Sequence, residues 1–209
     1  MTDDIELLMR WREGDAAAGQ ELFRRHMGTL YRFFQNKASH GVEDLVQQTM
    51  LACLESHTQF QQRSSFRSFL LGVARYQLFE YYRRTKSDSG RLDYNTVTVF
   101  DLAQSPSTHA AKASEERLLL EALRRLPINL QIALELCYWE DMSGPELAEI
   151  LEIPVDTAYS RLRRAKQLLK EQLELLAESK EQLEATQTSL GQWAKATRGN
   201  LLDDEGPSA

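Results

Sequence analysis

The sequence predicts an all-α protein: two small helical domains joined by a flexible linker, the second a helix-turn-helix domain, with a C-terminal helical extension. Three observations carry this. Apolar residues recur every three or four positions along most of the chain, while only 10 glycines and 5 prolines interrupt 209 residues and β-branched runs are few. Residues 143–165, SGPELAEILEIPVDTAYSRLRRA, read as a short helix, a sharp turn and a second helix rich in arginine. From Ser87 to Ser114 the composition turns small and polar, with turn signals at Ser89-Gly90 and Ser105-Pro106. That change sets a linker at 89–113 between domains at 1–88 and 114–175, and leaves 176–209 as the extension.

In the first domain, Thr2 and Asp3 are placed to cap a short helix whose Ile5, Leu8 and Met9 share an apolar face. Gly14-Asp15 breaks it and supplies a new cap. From Ala16 a longer helix carries Leu22, Phe23, His26, Met27, Leu30, Tyr31 and Phe34 at core spacing. Asn36 to Gly41 is a loop. The next helix, VEDLVQQTMLACLESH, turns Val42, Leu45, Val46, Thr49, Met50 and Cys53 inward and leaves Asp44, Gln47, Gln48 and Glu55 outside. Gln59 to Ser65 is a polar loop ending in a serine cap. The helix after it, FRSFLLGVARYQLFEYYRRTK, has an unusually wide apolar arc (Phe66, Phe69, Leu70, Val73, Ala74, Leu78, Phe79, Tyr81, Tyr82) with Arg67, Arg75, Arg83, Arg84 and Lys86 interleaved. Two readings fit that mixture. One is a surface that stacks bases and holds phosphates, as single-stranded DNA requires. The other is a core of aromatics with solvated arginines around it.

Leu92, Tyr94, Val97, Val99 and Phe100 are too apolar for a free linker, so part of it is expected to dock. The second domain opens with EERLLLEALRRL, ended by Leu126-Pro127. INLQIALELCYWED then supplies Ile128, Ile132, Leu134, Leu136, Cys137 and Trp139 as core. In the helix-turn-helix, Ser143 is an N-cap, Pro145 sits in the first turn and Glu146 completes a capping box. Leu147, Ala148, Ile150 and Leu151 face inward, and the small Ala148 admits a close crossing. Glu152, Ile153 and Pro154 end the helix, because proline disfavours helical geometry in the residue before it. The second helix has Asp156 in its first turn, where the dipole favours an acid. Ala158, Leu162, Ala165 and Leu169 form its buried stripe; Thr157, Tyr159, Ser160, Arg161, Arg163 and Arg164 lie on the other face. An ordinary helical hairpin with a solvated basic face shares this periodicity. Beyond Leu169 the helix is expected to continue, with Leu173, Leu176, Leu183 and Leu190 near a heptad seam that Lys180 and Gln187 interrupt; Gly199 to Ala209 is an acidic, disordered end.

The formal net charge of −6 excludes a general nucleic-acid coater, so any DNA binding comes from local basic patches. Cys53 and Cys137 sit inside apolar patterns and read as buried thiols; the four histidines lack metal-ligand spacing. No apolar run is long enough for membrane insertion and the acidic start lacks a signal-peptide pattern, so a cytoplasmic protein is expected. No nucleotide loop, metal cluster or catalytic triad is legible, so no cofactor and no enzyme activity are expected. A stand-alone helix-turn-helix regulator is the alternative function, though it leaves the Asp44 to Gln48 face and the aromatic helix unexplained.

Three motifs in order resemble the sigma factors of bacterial RNA polymerase, of the small two-domain, extracytoplasmic-function type. VEDLVQQTML is similar to the family's polymerase-binding helix, with Glu43, Asp44, Leu45, Gln47 and Gln48 as its core. SFRSFLLGVARYQLFEYYRR is similar to the helix that reads and melts the minus-ten promoter element, and residues 123–169 to the domain that binds the minus-thirty-five element. There are departures: Tyr76 where the family often has asparagine, Glu80 for a frequent aspartate, Glu152 where glycine often closes the turn, and Gly144-Pro145 for a more usual aromatic-acid pair. The resemblance implies core RNA polymerase and promoter DNA, both duplex and melted single strand, as partners, and often an anti-sigma factor. It implies polymerase contacts at Asp44, Leu45, Gln47 and Gln48. For the minus-ten element, Phe66, Tyr76 and Phe79 are expected to take bases, and Arg63, Arg67, Arg75, Arg83 and Arg84 phosphates, with Ser64 and Ser65 in the loop. For the minus-thirty-five element, Arg163 and Tyr159 are expected at base edges and Ser160, Arg161 and Arg164 on backbone, with Thr157 on the same face.

Overall fold

The computed structural model describes residues 3–56, 65–85, 92–102 and 114–187. They divide into two compact units, one within 3–92 and one within 93–187. No β-strand occurs among the described residues.

The first unit packs α1 (Asp4–Arg12), α2 (Ala16–Gln35), α3 (Val42–Ser56) and α4 (Phe66–Thr85). Asp15 caps α2, its carboxylate accepting from the Ala17 and Ala18 amides at 3.0 and 3.1 Å, as the Gly14-Asp15 break implies. Gly19 is required where α1 crosses α2: a Cβ there would lie 2.6 Å from the Trp11 ring. Asp4 ties the start of α1 to α2, accepting from His26 Nε2 at 2.6 Å and from Arg25 Nη1 at 3.1 Å. On the α2 surface, Arg24 and then Arg25 hold the Glu21 carboxyl down to about 2. The inward face of α1 differs from expectation: Leu7, Leu8 and Trp11 are buried, while Ile5 and Met9 are exposed. On α2, Leu22, His26, Thr29, Leu30, Phe33 and Phe34 are buried and Met27 and Tyr31 are exposed. The buried face of α2 includes Thr29 and Phe33, which the expected set left out, and α3 and α4 both pack on this helix.

Two bonds fix α4. Ser65 caps it, its hydroxyl accepting from the Ser68 amide at 3.1 Å. Near its other end, Tyr82 Oη donates to the Lys37 carbonyl at 2.7 Å. Lys37 is itself buried, with Nζ bonded to the Phe33 carbonyl at 2.5 Å and lying 4.4 Å from the Phe33 ring centroid. Gly41, with φ +69°, opens α3 in a conformation that a side chain would strain.

The second unit holds α5 (Val99–Leu102), α6 (Ser114–Arg124), α7 (Ile128–Trp139), α8 (Gly144–Leu151) and α9 (Val155–Leu176). Residues 93–102, which the sequence assigned to a linker, dock on the start of α7. The Ile128 and Asn129 amides donate to the Val97 and Tyr94 carbonyls at 3.0 and 3.1 Å, and Thr98 pairs with Pro127 as an antiparallel bridge. Val99 and Leu102 are buried, and Thr98 and Asp101 cap each other around the first turn of α5. This is chain supplying to α7 the acceptors that its first amides lack, since Pro127 at the N-cap offers no side-chain oxygen.

Cys53 and Cys137 are free and buried; burial pushes the Cys53 thiol up to about 12 and also raises that of Cys137. The continuous helix expected after Leu169 ends at Leu176: Ala177 is extended (φ −66°, ψ 130°). A further helical segment, 180–187, starts with Ser179 Oγ accepting from the Gln182 amide at 3.1 Å. The serine cap overrides the weak heptad. Leu190 and the acidic end lie outside the described residues.

Candidate nucleic-acid interface

Three surfaces carry the residues singled out by sequence. The first is the outer face of α3. Glu43, Asp44, Gln47, Gln48 and Glu55 are exposed on it. Leu45 is not: at 3% exposure it lies under the face, so its expected contact with a partner is corrected to a packing role. Its carbonyl is the acceptor for Thr49 Oγ1 at 2.7 Å. The same face contains two leucines that the sequence reading missed, Leu51 (55% exposed) and Leu54. Their signal was present: positions 44, 47, 48, 51 and 55 follow one helical stripe. An acid, two amides and an exposed leucine side by side suit a protein surface better than a phosphate backbone.

The second surface is α4, and the two readings of it divide along its length. Phe66, Leu70, Leu71, Ala74, Leu78 and Tyr82 are core. Phe66 is 1% exposed, its ring 5.4 Å from His26 and 6.2 Å from Phe69. It cannot receive a base without unpacking the unit, which corrects its expected stacking role. Phe79 is half-buried with the Arg75 guanidinium 4.7 Å from its ring centroid, so that cation covers one of its faces. Tyr76, 59% exposed, is the aromatic that stands free of the core. Arg67 is half-buried, Arg83 pairs with Glu80 one turn back, and Arg84 is exposed. Ser65 is exposed, but its hydroxyl is engaged as the helix cap. Arg63 and Ser64 lie outside the described residues.

The third surface is the helix-turn-helix. Glu146 Oε2 accepts from the Ser143 amide at 2.9 Å and from its hydroxyl at 2.6 Å, the expected capping box. The turn is closed by Glu152 in the left-handed region (φ 55°), the conformation for which glycine is usual, with the Ile153 amide returning to the Ala148 carbonyl at 2.9 Å. Ala158, Leu162, Ala165, Leu169 and Leu173 are buried against α6, α7 and α8. Each leucine so buried is worth about 1.5–3 kcal/mol. That stripe fixes the rotation of α9 and leaves Ser160, Arg163 and Arg164 exposed. Thr157 and Arg161 are half-buried, and burial lowers the Arg161 pKa. Ser160 Oγ donates to its own helix, at the Thr157 carbonyl, 2.9 Å away.

Tyr159 is placed differently from expectation. A Cβ on Gly144 would lie 2.5 Å from its Cζ and 2.6 Å from its Oη, so the ring fills the space that a glycine at the start of α8 leaves open. The half-buried tyrosine packs against the first residue of α8, joining the two helices of the motif. The Gly144-Pro145 departure and Tyr159 are therefore one packing solution. Among the described residues no cluster of histidine, cysteine or carboxylates could hold a metal, and no helix is long and apolar enough to cross a membrane.

The Sigma-70 region 2 model matches residues 22–87 and the Sigma-70 region 4 model residues 116–169. The chain is 24% identical over 182 residues to the ECF RNA polymerase sigma-E factor of Haemophilus influenzae, covering 83% of this chain and 96% of that one. It is 29% identical over 152 residues to the ECF RNA polymerase sigma factor SigM of Bacillus subtilis, covering 72% and 91%. Two solved structures share the fold. CnrH in complex with the cytosolic domain of CnrY gives a TM-score of 0.62 at 22% identity, covering 84% of this chain and 99% of that one. The sigma factor RpoE of Bartonella quintana, in complex with the anti-sigma factor NepR, gives 0.57 at 21%, covering 74% and 96%.

The contact between Gly144 and Tyr159 generates a stability prediction. Gly144→Ala costs about 1–3 kcal/mol by chemical denaturation, because the ring must move. In a Tyr159→Ala background the same substitution costs nothing or stabilises, since the clash is gone and alanine favours the helix. Equal costs in both backgrounds would place the ring elsewhere.

Proposed function

We propose that this chain, which belongs to the extracytoplasmic-function sigma factors of bacterial RNA polymerase, docks on core polymerase through α3 and carries the two promoter elements on separate units. It serves transcription initiation and acts in the cytoplasm, where polymerase is. The observation that carries the proposal is the exposed stripe of Asp44, Gln47, Gln48 and Leu51 on a unit that lacks the helix-turn-helix. A regulator acting alone on DNA has no use for it.

Each remaining surface has one task. Opening a duplex costs stacking energy, which stacking of exposed bases returns at roughly 1–3 kcal/mol per base. Tyr76 takes a minus-ten base, with the outer edge of Phe79 beside it, and Arg84, Arg83 and Arg67 hold phosphates around them. Arg75 serves the Phe79 ring and the backbone together. In the second unit α9 enters the major groove at the minus-thirty-five element. Arg163 reads base edges, Arg164 and Arg161 hold backbone, and Thr157 and Ser160 flank them. An anti-sigma factor is the regulatory partner that fits this class, as in the RpoE complex.

In a native gel shift with core polymerase, the wild-type chain forms holoenzyme, and Asp44→Arg abolishes the complex while leaving the fold intact. Undiminished assembly of Asp44→Arg would remove α3 as the docking face.

On the minus-thirty-five duplex, Arg163→Ala costs roughly 1–3 kcal/mol and relaxes sequence preference. Arg164→Ala weakens all duplexes alike and makes the salt dependence shallower by about one phosphate contact. Titrations at several salt concentrations separate the two; identical behaviour of both variants would contradict the division between base and backbone.

A further inference from the structure

From the rotation of α9 we infer that Asp156 reads a cytosine in the minus-thirty-five element, as the acceptor that complements Arg163 on the same line of the helix. The inference rests on the reading of α9 as the helix that enters the major groove.

Asp156, Ser160, Arg163 and Gln167 are all exposed. At helical spacing they fall within about 60° of one another around the axis, and the buried stripe of Ala158, Leu162, Ala165 and Leu169 lies on the opposite side. They form the line of α9 furthest from the core of its unit, and an acid heads it. A helix-turn-helix presents the N-terminal residues of its second helix to base edges, and Asp156 follows directly on Val155, the first residue of α9. Its carboxylate is uncommitted. Asp15, Asp101 and Glu146 each accept a hydrogen bond at the start of a helix, whereas Asp156 has no hydrogen bond or ion pair among the described residues.

An ionised carboxylate only accepts, so against a phosphate it repels. In the major groove the donors are the amino groups of cytosine and adenine. Adenine sets its N7 acceptor beside that donor and opposes a second carboxylate oxygen, while cytosine offers the donor without it. Arg163 only donates, which suits O6 and N7 of guanine. Asp156 and Arg163 are separated by about 10 Å of helix axis, so the two bases lie about two or three base-pair steps apart. The competing role for Asp156 is the helix dipole, which an acid in the first turn favours whatever it faces. Neutralising a dipole partner changes stability and leaves sequence preference alone; neutralising a base reader changes preference at one pair.

Holoenzyme assembled from core polymerase and the full chain selects fragments from a promoter pool randomised across the minus-thirty-five element. Wild type enriches a C·G pair at the stated distance from the pair whose preference Arg163→Ala relaxes. Asp156→Ala lowers the cytosine preference there by about fivefold or more, and Asp156→Asn turns it to adenine, which an amide matches at N6 and N7. Preference at the other positions is unchanged. Both variants bind fragments lacking the element several-fold more tightly, because a repelling charge is gone. Unchanged base preference in both variants, with or without a lower melting temperature, would overturn the assignment and leave Asp156 to the dipole. Preference weakened evenly at every position would also overturn it, being the mark of a displaced helix. Enrichment of no element by wild type would instead overturn the sigma-factor reading beneath it.

Discussion

On the proposed reading, burial of one stripe of α9 decides where this chain meets DNA. With a net charge of −6 the molecule as a whole repels a polyanion, so the cations of α9 have to be held clear of its carboxylates. Ala158, Leu162, Ala165 and Leu169 do this by fixing the rotation of the helix, and Arg163 and Arg164 point outward as a result. Tyr159 against Gly144 sets how closely α8 crosses beneath. The first unit uses the same device. Ser65 and Tyr82 pin α4 near its two ends, its core residues face α2 and α3, and Tyr76 and Arg84 are left outside.

The helices were legible because helical burial writes a period of three to four into the sequence. The capping box at Ser143, the cap at Asp15 and the break at Pro154 each have a local chemical cause, and all three are where sequence placed them. What could not be read is set by more than one neighbour. Phe66 looked available because aromatics beside arginines fit a base-stacking surface, yet His26 and Phe69 enclose it. Tyr159 looked outward because its position on α9 is outward; only the missing Cβ of Gly144 draws the ring back. Leu51 was overlooked because a leucine is read as core by default, although its place on the helical stripe of Asp44, Gln47 and Gln48 marks it as outward.

The segment 93–102 lies in the stretch read as a linker, and the docking that its apolar residues implied is present. Small and polar residues read as a tether, and Val97, Val99 and Phe100 were the sign against it. Its role follows from α7, whose first amides have no side-chain acceptor at Pro127 and take carbonyls from this segment instead.

On the proposed reading neither unit opens DNA by itself, and polymerase joins two weak contacts into one strong one. Permanganate footprinting over the minus-ten region tests it most directly, with the chain alone and with the chain bound to core polymerase. No thymine reacts with the isolated chain at any concentration, and clear reactivity follows once core polymerase is added. Melting by the isolated chain would contradict it.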